Sequence, residues 1–451
     1  PSCLKAKVSQ GCGMSEYIGF WMFPVLLIFL LGGFPIALSM ICTAFIFGVI
    51  QFGGSASFQL ISQIDSVAGN SVLAAVPLFV FMGAFLEKSG IASKLLEAIH
   101  IWTWRLPGGM ALSTIIMGAI FAAISGVVGA TEAVIGLLTV PVMLKHAYDK
   151  RLISGTVCAS GSLGTVIPPS ITVIVLGPVA NVSVGELFAG LLLPGLIMAV
   201  LFGLYVVGIA IAKPAMAPRA IEGSPEYSLG QKLRITAVAL IPPSILIFAV
   251  LGSILMGVAT PTEAAAWGAL GAVGLSAIYR TFTWHLFGNA LMKTLLITTM
   301  ILLIVLGGSM FAGVFFASGG MLAIQTLLND LGIPAWGVIA LILLLTFLAG
   351  FVLDLISVVL IVIPIAMPLV LNLGFDPIWF CIAFLVVLQT SYLTPPMAPS
   401  IFYLRAVAPP DITLRHMYSG VIPFIILQII TLALVLAFPE LATRLPEVLL
   451  G

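Results

Sequence analysis

Long apolar runs follow one another along this chain, separated by short charged or Pro/Gly-rich breaks. Backbone groups in lipid must hydrogen-bond within their own segment, so apolar runs of this length predict transmembrane helices and an all-α polytopic membrane protein. The predicted helices span residues 17–33, 35–52, 72–87, 152–178, 187–212, 236–257, 261–279, 294–317, 379–403 and 417–438. Two further apolar regions, 110–144 and 335–371, are interrupted near the middle by small or polar residues.

A proline pattern in the first half of the chain returns in the second half. Pro168 and Pro169 recur 227 positions later as Pro395 and Pro396, and Pro141 has its counterpart at the same offset. Matching interruptions in two halves are typical of secondary transporters built from repeats. The pattern predicts two repeats, over 14–212 and 236–451, joined by a hydrophilic cytoplasmic linker over 213–235.

Charge placement predicts that the two interrupted regions are re-entrant helical hairpins. Basic residues lie on both sides of region 110–144, so the positive-inside rule places both of its ends in the cytoplasm. Region 335–371 is flanked by Asp330 and Asp376 instead, which places its ends outside. We expect the hairpins to enter from opposite faces, with tips near 125–131 and 350–354, and the second repeat to be inverted relative to the first. The basic residues around the first hairpin are Lys88, Lys94, Arg105, Lys145, Lys150 and Arg151.

Composition agrees with a membrane location. Apolar residues make up 61% of the chain and charged residues 7%, whereas soluble domains carry about 25% charged residues. The net charge of +1 and the lack of a clustered basic segment argue against a nucleic-acid partner. The five cysteines lie singly, and the four histidines fall near predicted span ends, where we expect them to be solvated. No transition-metal site is predicted. The first thirteen residues differ from the rest and are expected to be a non-native or disordered stretch.

Each double proline is expected to break its helix, because proline lacks a backbone donor and clashes with the preceding turn. Carbonyl groups freed at membrane depth persist where they line a cavity or hold an ion. An isolated proline would more simply produce a kink repaired by its neighbours, but paired breaks beside Ser, Thr and Gly favour an ion site. Na⁺ is the expected ion because hard cations take oxygen ligands. The carboxylate pairs of a proton relay are lacking.

Two acidic residues, Glu132 and Asp354, fall within the predicted membrane zone, and Glu263 lies close to its outer boundary. For Asp354, a role in gating or substrate contact and a purely structural hydrogen bond are both open. Glu132 and Glu263 each follow a threonine at a helix start, so first-turn acids that favour the helix dipole are an alternative to a functional role. Helix N-termini after the breaks would also favour an anionic guest.

Four motifs occur in a fixed order: GSLGTVIPPS at 161–170, ATPTEAAA at 259–266, GFVLD at 350–354 and TPPMAP at 394–399. With them the chain, from about residue 14 to its end, resembles the large membrane subunit of tripartite ATP-independent periplasmic (TRAP) transporters. The resemblance implies an elevator-type importer of the ion transporter superfamily, which carries small organic anions with Na⁺ across the bacterial inner membrane. It also implies two partners, a small four-helix membrane subunit and a periplasmic substrate-binding protein.

The resemblance further implies where ions and substrate bind. Two Na⁺ ions are expected, each held by main-chain carbonyls of one tip and of the break that faces it. No other cofactor and no catalytic residue are expected. Val127 and Val128 stand where relatives often have serines, which weakens side-chain ligation there but not carbonyl ligation. The first set is Ala122, Ser125, Gly164, Ile167 and Pro169, and the second set is Gly350, Ser391, Thr394 and Met397. The substrate and gating residues are Gly126, Thr131, Thr165, Asp354, Ser357 and Pro395.

Other functions fit the sequence less well. The nearest alternative is a stand-alone carrier of the same superfamily that needs no binding protein. An intramembrane hydrolase would need an HExxH pair or a GxSxG elbow, and neither occurs. A passive channel suits two facing interrupted hairpins poorly, since these favour occlusion. The substrate stays open among dicarboxylates, sialic acids, other sugar acids, keto acids and amino-acid-like solutes.

Overall fold

The computed structural model describes residues 18–126, 129–218 and 227–450, and this part of the chain is helical with no strand. Within it, seven helices are long and apolar enough to cross a membrane. The predicted all-α polytopic class is confirmed, whereas the stretch over 1–13, Val127 and Val128 lie outside the described residues. The helices are α1 (Ile18–Leu31), α2 (Ile36–Phe52), α3 (Ala56–Ala68), α4 (Ala75–Lys88), α5 (Ile91–Thr103), α6 (Gly109–Ser125), α7 (Ala130–Lys145), α8 (Lys150–Ser162), α9 (Ile171–Ala180), α10 (Val184–Ala212), α11 (Leu229–Leu255), α12 (Pro261–Ile278), α13 (Trp284–Ala317), α14 (Gly320–Asp330), α15 (Ala335–Ala349), α16 (Leu355–Asn372), α17 (Pro377–Leu393), α18 (Pro399–Val407), α19 (Leu414–Ala437) and α20 (Glu440–Leu450).

Four short helices, α3, α5, α14 and α20, were not predicted because they are shorter than a membrane span and carry polar residues on one face. Helix α5 packs against α6 and α11. This packing half-buries His100, which was expected to be solvated, and leaves its Nδ1 without a hydrogen-bond partner among the described residues. The expectation for His100 was therefore wrong.

Helix α11 begins at Leu229, seven residues before its predicted start, and so takes up part of the predicted linker. Ser228 and Gln231 explain the early start, because they form a capping box. The Ser228 hydroxyl accepts from the Gln231 N–H at 3.3 Å, and the Gln231 side-chain oxygen accepts from the Ser228 N–H at 2.9 Å. Two orphan donors are thereby satisfied about two turns upstream of the apolar run.

The two interrupted apolar regions fold as helical hairpins. Helices α6 and α7 meet at the first tip, residues 125–131, and α15 and α16 meet at the second tip, residues 350–354. Gly126 and Gly129 have φ angles of 58° and 91°, which a side chain would disfavour, and they reverse the chain at the first tip. At the second tip Asp354 is the N-cap of α16.

The helices that carry the double prolines are discontinuous. Helix α8 ends at Ser162, continues as one 3₁₀ turn over Leu163–Thr165, and gives way to the first break, residues 166–170, before α9. Helix α17 ends at Leu393, and the second break, residues 394–398, precedes α18. The Pro168-Pro169 and Pro395-Pro396 peptide bonds are both cis.

Elements from both halves of the sequence share one core. Helix α9 packs against α16, α10 against α20, and α8 against α19. The last pair crosses so closely that a Cβ atom on Gly155 would overlap the Gly420 carbonyl, and one on Gly420 would overlap the Arg151 carbonyl. Helices α2, α4, α12 and α13 form a second group, in which α13 contacts α16 and α4 contacts α6. The hairpins therefore lie between this second group and the broken helices.

Candidate functional site

The first tip lies directly against the first break. The Gly126 carbonyl accepts a hydrogen bond from the Ile171 N–H at 3.2 Å, across the double proline. A Cβ atom on Gly126 would lie 2.9 Å from the Pro169 carbonyl oxygen, so glycine is required for this approach. The Ala122 carbonyl accepts from the Gly126 N–H at 2.9 Å. The structure thus brings together three predicted residues of the first site, Ala122, Gly126 and Pro169.

The 3₁₀ turn that carries Gly164 and Thr165 packs against α6 and completes this group. Thr165 is buried and its hydroxyl donates to the Ser162 carbonyl at 3.0 Å. Ile167 is half-buried at the edge of the break. Donation of the Thr165 proton to a carbonyl leaves the lone pairs of the hydroxyl oxygen available to a cation.

Ser125 connects the first tip to two neighbours. Its hydroxyl lies 2.8 Å from the Thr131 hydroxyl, which closes the tip across its base. Its carbonyl oxygen would lie 2.5 Å from a Cβ atom on Gly83 of α4. Both Ser125 and Thr131 are buried. The first tip is therefore packed on the break on one side and on α4 on the other.

The second tip meets the last turn of α17, just before the second break, through Gly350 and Ser391. A Cβ atom on Gly350 would overlap the Ser391 hydroxyl, so the tip backbone rests directly on that side chain. The Ser391 hydroxyl donates to the Leu388 carbonyl at 2.7 Å, and the Thr394 hydroxyl donates to the Thr390 carbonyl at 2.6 Å. The oxygen lone pairs of both hydroxyl groups therefore point away from their donated protons and are available as ligands.

The two breaks differ in exposure. In the first break Pro168, Pro169 and Ser170 are buried. In the second, Thr394 and Pro395 are half-buried, and Met397 is 48% exposed. The first break is therefore buried, and the second is partly exposed.

The acidic residues Glu132, Glu263 and Asp354 all accept hydrogen bonds that cap helix N-termini. Glu132 Oε2 accepts from the Gly129 N–H at 2.5 Å, and Glu263 Oε2 accepts from the Thr260 N–H and hydroxyl at 2.8 Å each. This is the geometry of a first-turn acid in both places, although Glu132 is buried and Glu263 lies in an exposed turn. Asp354 accepts from the Ile356 N–H at 3.1 Å and from the buried Ser357 hydroxyl.

Tyr403 is a site residue that sequence reasoning missed. Its ring lies over Gly129, where a Cβ atom would approach it to 2.7 Å, and its hydroxyl is close enough to interact electrostatically with both Glu132 and Asp354. Tyr403 thus contacts the first tip and is 46% exposed. The available signal was its position seven residues after Pro396, on the short helix that follows the break.

Gln389 was missed as well. It is fully buried in α17, and its Nε2 donates to the Ser162 hydroxyl at 3.2 Å, which links the two broken helices just before their breaks. Its Oε1 has no hydrogen-bond partner among the described residues. A glutamine six residues before a double proline in an otherwise apolar run was the signal.

Carbonyl and hydroxyl oxygens dominate this site. Within the described residues, no three His, Cys, Asp or Glu side chains are grouped so that they could hold a metal ion. Such a set of ligands suits a hard monovalent cation better than a transition metal.

Hairpin tips that abut breaks in discontinuous helices, within a bundle of membrane-spanning helices, define a polytopic protein of the secondary-transporter class. Residues 23–441 match the family described as the DctM component of tripartite ATP-independent periplasmic transporters. The chain belongs to this family, and the resemblance seen in its motifs is confirmed.

Similar proteins agree with this assignment. The C4-dicarboxylate TRAP transporter large permease protein DctM of Pseudomonas aeruginosa is 28% identical over 404 residues, which cover 88% of this chain and 92% of that protein. The sialic acid TRAP transporter large permease protein SiaM of Vibrio cholerae is 29% identical over 431 residues, with 94% and 97% covered. The crystal structure of the Alcanivorax borkumensis YdaH transporter has a TM-score of 0.65 at 14% identity, covers 95% of this chain and 99% of its own, and shows a shared fold.

Proposed function

We propose that this chain is the large permease subunit of a Na⁺-coupled importer, which carries a small organic anion bearing a carboxylate across the bacterial inner membrane. One observation carries the proposal: each hairpin tip abuts a discontinuous helix at its break or in the turn just before it, through Gly126 and Pro169 in one place and through Gly350 and Ser391 in the other. This arrangement concentrates carbonyl and hydroxyl oxygens at two points deep in the bundle.

Two Na⁺ ions would hold the tips in place. The first would take carbonyl oxygens from the tip and the first break, and the second would take the Gly350 and Met397 carbonyls with the Ser391 and Thr394 hydroxyls. These oxygens belong to separate chain segments, so an ion bound between them stabilises the closed tip. These ligands follow the family resemblance, and the contacts described above support them. The ligands proposed for the first ion are Ala122, Ser125, Gly164, Ile167 and Pro169.

The substrate would bind between the two tips. Gly126, Thr131 and Thr165 would face it from one side, and Asp354, Ser357 and Pro395 from the other, with Tyr403 between them. The helix N-termini after the breaks supply partial positive charge for a carboxylate. The relatives named above are permeases for C4-dicarboxylates and for sialic acid, which are both carboxylates.

Transport would follow an elevator mechanism. The hairpins and broken helices would form the transport domain, and α2, α4, α12 and α13 would belong to the scaffold. A periplasmic binding protein would deliver the substrate, and a small four-helix membrane subunit would complete the scaffold. The repeats would be inverted and the loaded domain would slide past the scaffold to open inward.

Ion binding can be tested without knowing the substrate. The purified full chain is heated in lipid nanodiscs in NaCl or in choline chloride of equal ionic strength. A ligand that binds only the folded state raises stability by about 2.7 kcal/mol at a hundred times its Kd, and this gain grows with the logarithm of the ligand concentration. We therefore expect the unfolding midpoint to keep rising as the Na⁺ concentration is raised above Kd. An equal midpoint in both salts would contradict the ion sites.

Uptake separates the proposal from its nearest alternative. The chain is reconstituted with its small membrane subunit and binding protein, and radiolabelled succinate and sialic acid are the probes. We expect uptake of one of them to require both an inward Na⁺ gradient and the binding protein. Uptake that persists without Na⁺ would remove the coupling, and Na⁺-driven uptake without the binding protein would establish the stand-alone carrier.

A further inference from the structure

Glu132 is a fully buried carboxyl group that the proposed transport mechanism does not use. It lies in the first turn of α7, and a Cβ atom on Gly161 of α8 would lie 2.6 Å from its Cδ. Its Oε2 caps the helix through the Gly129 N–H. Its Oε1 has no hydrogen-bond partner among the described residues. One oxygen of this group is therefore buried and unsatisfied.

Among the residues that the structure describes, no positive charge compensates Glu132. Helix α7 packs against α5, α6, α8 and α18. Helix α6 contains no ionisable residue, and the groups that face Glu132 are Cys158 of α8, Tyr403 of α18 and Tyr392 of α17. Each of these is either neutral or, when ionised, negative.

The basic residues of these helices are elsewhere. Lys145 lies thirteen residues along α7, about 20 Å away at 1.5 Å per residue, and Lys150 and Arg151 lie at the far end of α8. The Arg405 guanidinium of α18 donates to the Ile412 carbonyl at 3.0 Å. On α5, Lys94 and Glu97 are exposed, and His100 lies near His146 beyond the end of α7. Within the described part of the chain, the single ion pair joins Lys293 to Glu87.

Ser400 is a polar neighbour of Glu132. It lies beside the Glu132 carboxyl group and is fully buried. Its hydroxyl donates to the Cys158 carbonyl at 3.3 Å, and its own carbonyl accepts from the Cys158 thiol at 3.8 Å. The Ser400 hydroxyl rotates about its C–O bond, so it can donate to a carboxylate or accept from a protonated carboxyl group. It brings no positive charge in either case, so an ionised Glu132 stays without a counter-charge here.

We propose that Glu132 is a proton-binding site, which carries a proton in this conformation and exchanges it with water whenever this buried group becomes solvated. In the exchange a hydronium ion transfers one proton to the carboxylate, leaving a neutral carboxyl group and a water molecule. The new proton lies on Oε1, and Oε2 keeps the hydrogen bond from the Gly129 N–H. An ionised group here would be a buried charge without a partner, which is strongly destabilising.

The tight packing of Gly161 favours a proton over a metal cation here. A Na⁺ ion needs several oxygen ligands around it, whereas the Gly161 backbone occupies one side of the carboxyl group and the Tyr403 ring covers Gly129 next to it. A proton adds no comparable volume. The proposal therefore stands apart from the two Na⁺ sites and does not depend on the substrate.

Infrared spectroscopy of the full chain in nanodiscs tests the proposal directly. The C=O stretch of a protonated carboxyl group is recorded for the wild type and for Glu132→Gln, which keeps the shape and removes the ionisable group. An exposed glutamate with an ordinary pKa of about 4.3 is fully ionised at about pH 7. We expect a wild-type band at that pH that is absent from Glu132→Gln. Its absence from the wild type would overturn the proposal.

Matched variants complete the test. Glu263→Gln changes the equivalent capping-box acid at an exposed position and should keep the band. Loss of the wild-type band on replacing choline chloride with NaCl would identify a cation site instead and would overturn the proton assignment. If Glu132→Gln does not fold, Ser400→Ala is used, because it removes the polar group beside the carboxyl group and should shift the band. A band that Ser400→Ala leaves unmoved would also overturn the proposal.

Discussion

The carbonyl oxygen of Ser125 rests on the backbone of Gly83, where a Cβ atom would approach it to 2.5 Å. This contact joins the first hairpin tip to α4. We expect Gly83→Ala to push the tip away from α4 and to cost roughly 1–3 kcal/mol of stability, as overpacking does. Thermal unfolding of the purified chain measures the loss, and Na⁺-dependent stabilisation should weaken with it.

The control for Gly83→Ala is Gly274→Ala in α12, which packs against α4. A Cβ atom on Gly274 would meet nothing within 4 Å. Replacing a glycine inside a helix by alanine stabilises by roughly 0.5–1 kcal/mol where space allows. The two variants should therefore move the unfolding midpoint in opposite directions. A Gly83→Ala protein as stable as Gly274→Ala would show that the tip does not rest on α4.

Gly350 and Ser391 allow a two-residue test of the second ion site. We expect Gly350→Ala to reduce the Na⁺ dependence of the unfolding midpoint to the contribution of the first site, because the new Cβ atom would collide with the Ser391 hydroxyl. Adding Ser391→Ala removes the colliding oxygen. The double variant should therefore regain stability relative to Gly350→Ala, while Na⁺ binding stays weak because a ligand is missing. Equal stability of the single and double variants would contradict the contact.

Thr394 tests the second break from the other side. Its hydroxyl donates to the carbonyl four residues earlier, at 2.6 Å. Thr394→Phe should fold but lower the apparent Na⁺ affinity at least about tenfold, or about 1.4 kcal/mol, because the ligand oxygen is lost and the site is filled. Thr326→Phe is the control, since Thr326 makes the same kind of hydrogen bond on exposed α14, at 3.0 Å. Full Na⁺-driven uptake by Thr394→Phe would remove this residue from the site.

His100 predicts a pH dependence of stability. Burial lowers its pKa below the ordinary value of 6.5, and the neighbouring His146 lowers it further. The unfolded chain therefore binds a proton more readily than the folded one, and the free energy of unfolding falls as the pH drops through 6.5. We expect His100→Gln to flatten this acid-side loss, as measured by denaturation at several pH values. His285→Gln, at an exposed position, is the control, and an unchanged pH profile for His100→Gln would contradict the assignment.

The sequence predicted the elements whose pattern is local. The double prolines marked the places where α8 and α17 end, and the glycines and small residues near 125–131 marked the first tip, because these residues restrict the backbone wherever they occur. Short amphipathic helices such as α5 escaped prediction, since nothing in a thirteen-residue run separates a packed helix from a loop. Because α5 was not predicted, the partial burial of His100 was not predicted either.

The site itself could be predicted only in part. Gly126 and Pro169 were placed through family resemblance, but their contact depends on the packing of the first hairpin against the first break. Tyr403 and Gln389 act across elements that are far apart in sequence, so no local pattern identifies them. Glu132 was recognised as a first-turn acid, yet its missing counter-charge is a property of five helices together.

The crossing of α8 and α19 at Gly155 and Gly420 has a mechanical consequence. The two backbones touch there with no side chain between them. A shift of either helix by one residue would place a methyl group or a larger side chain against the carbonyl groups of the other helix. This contact therefore resists sliding of one helix along the other. In any conformational change of this molecule, α8 and α19 must therefore move together as one rigid unit. Helix α8 leads into the first double proline, so that break moves with them.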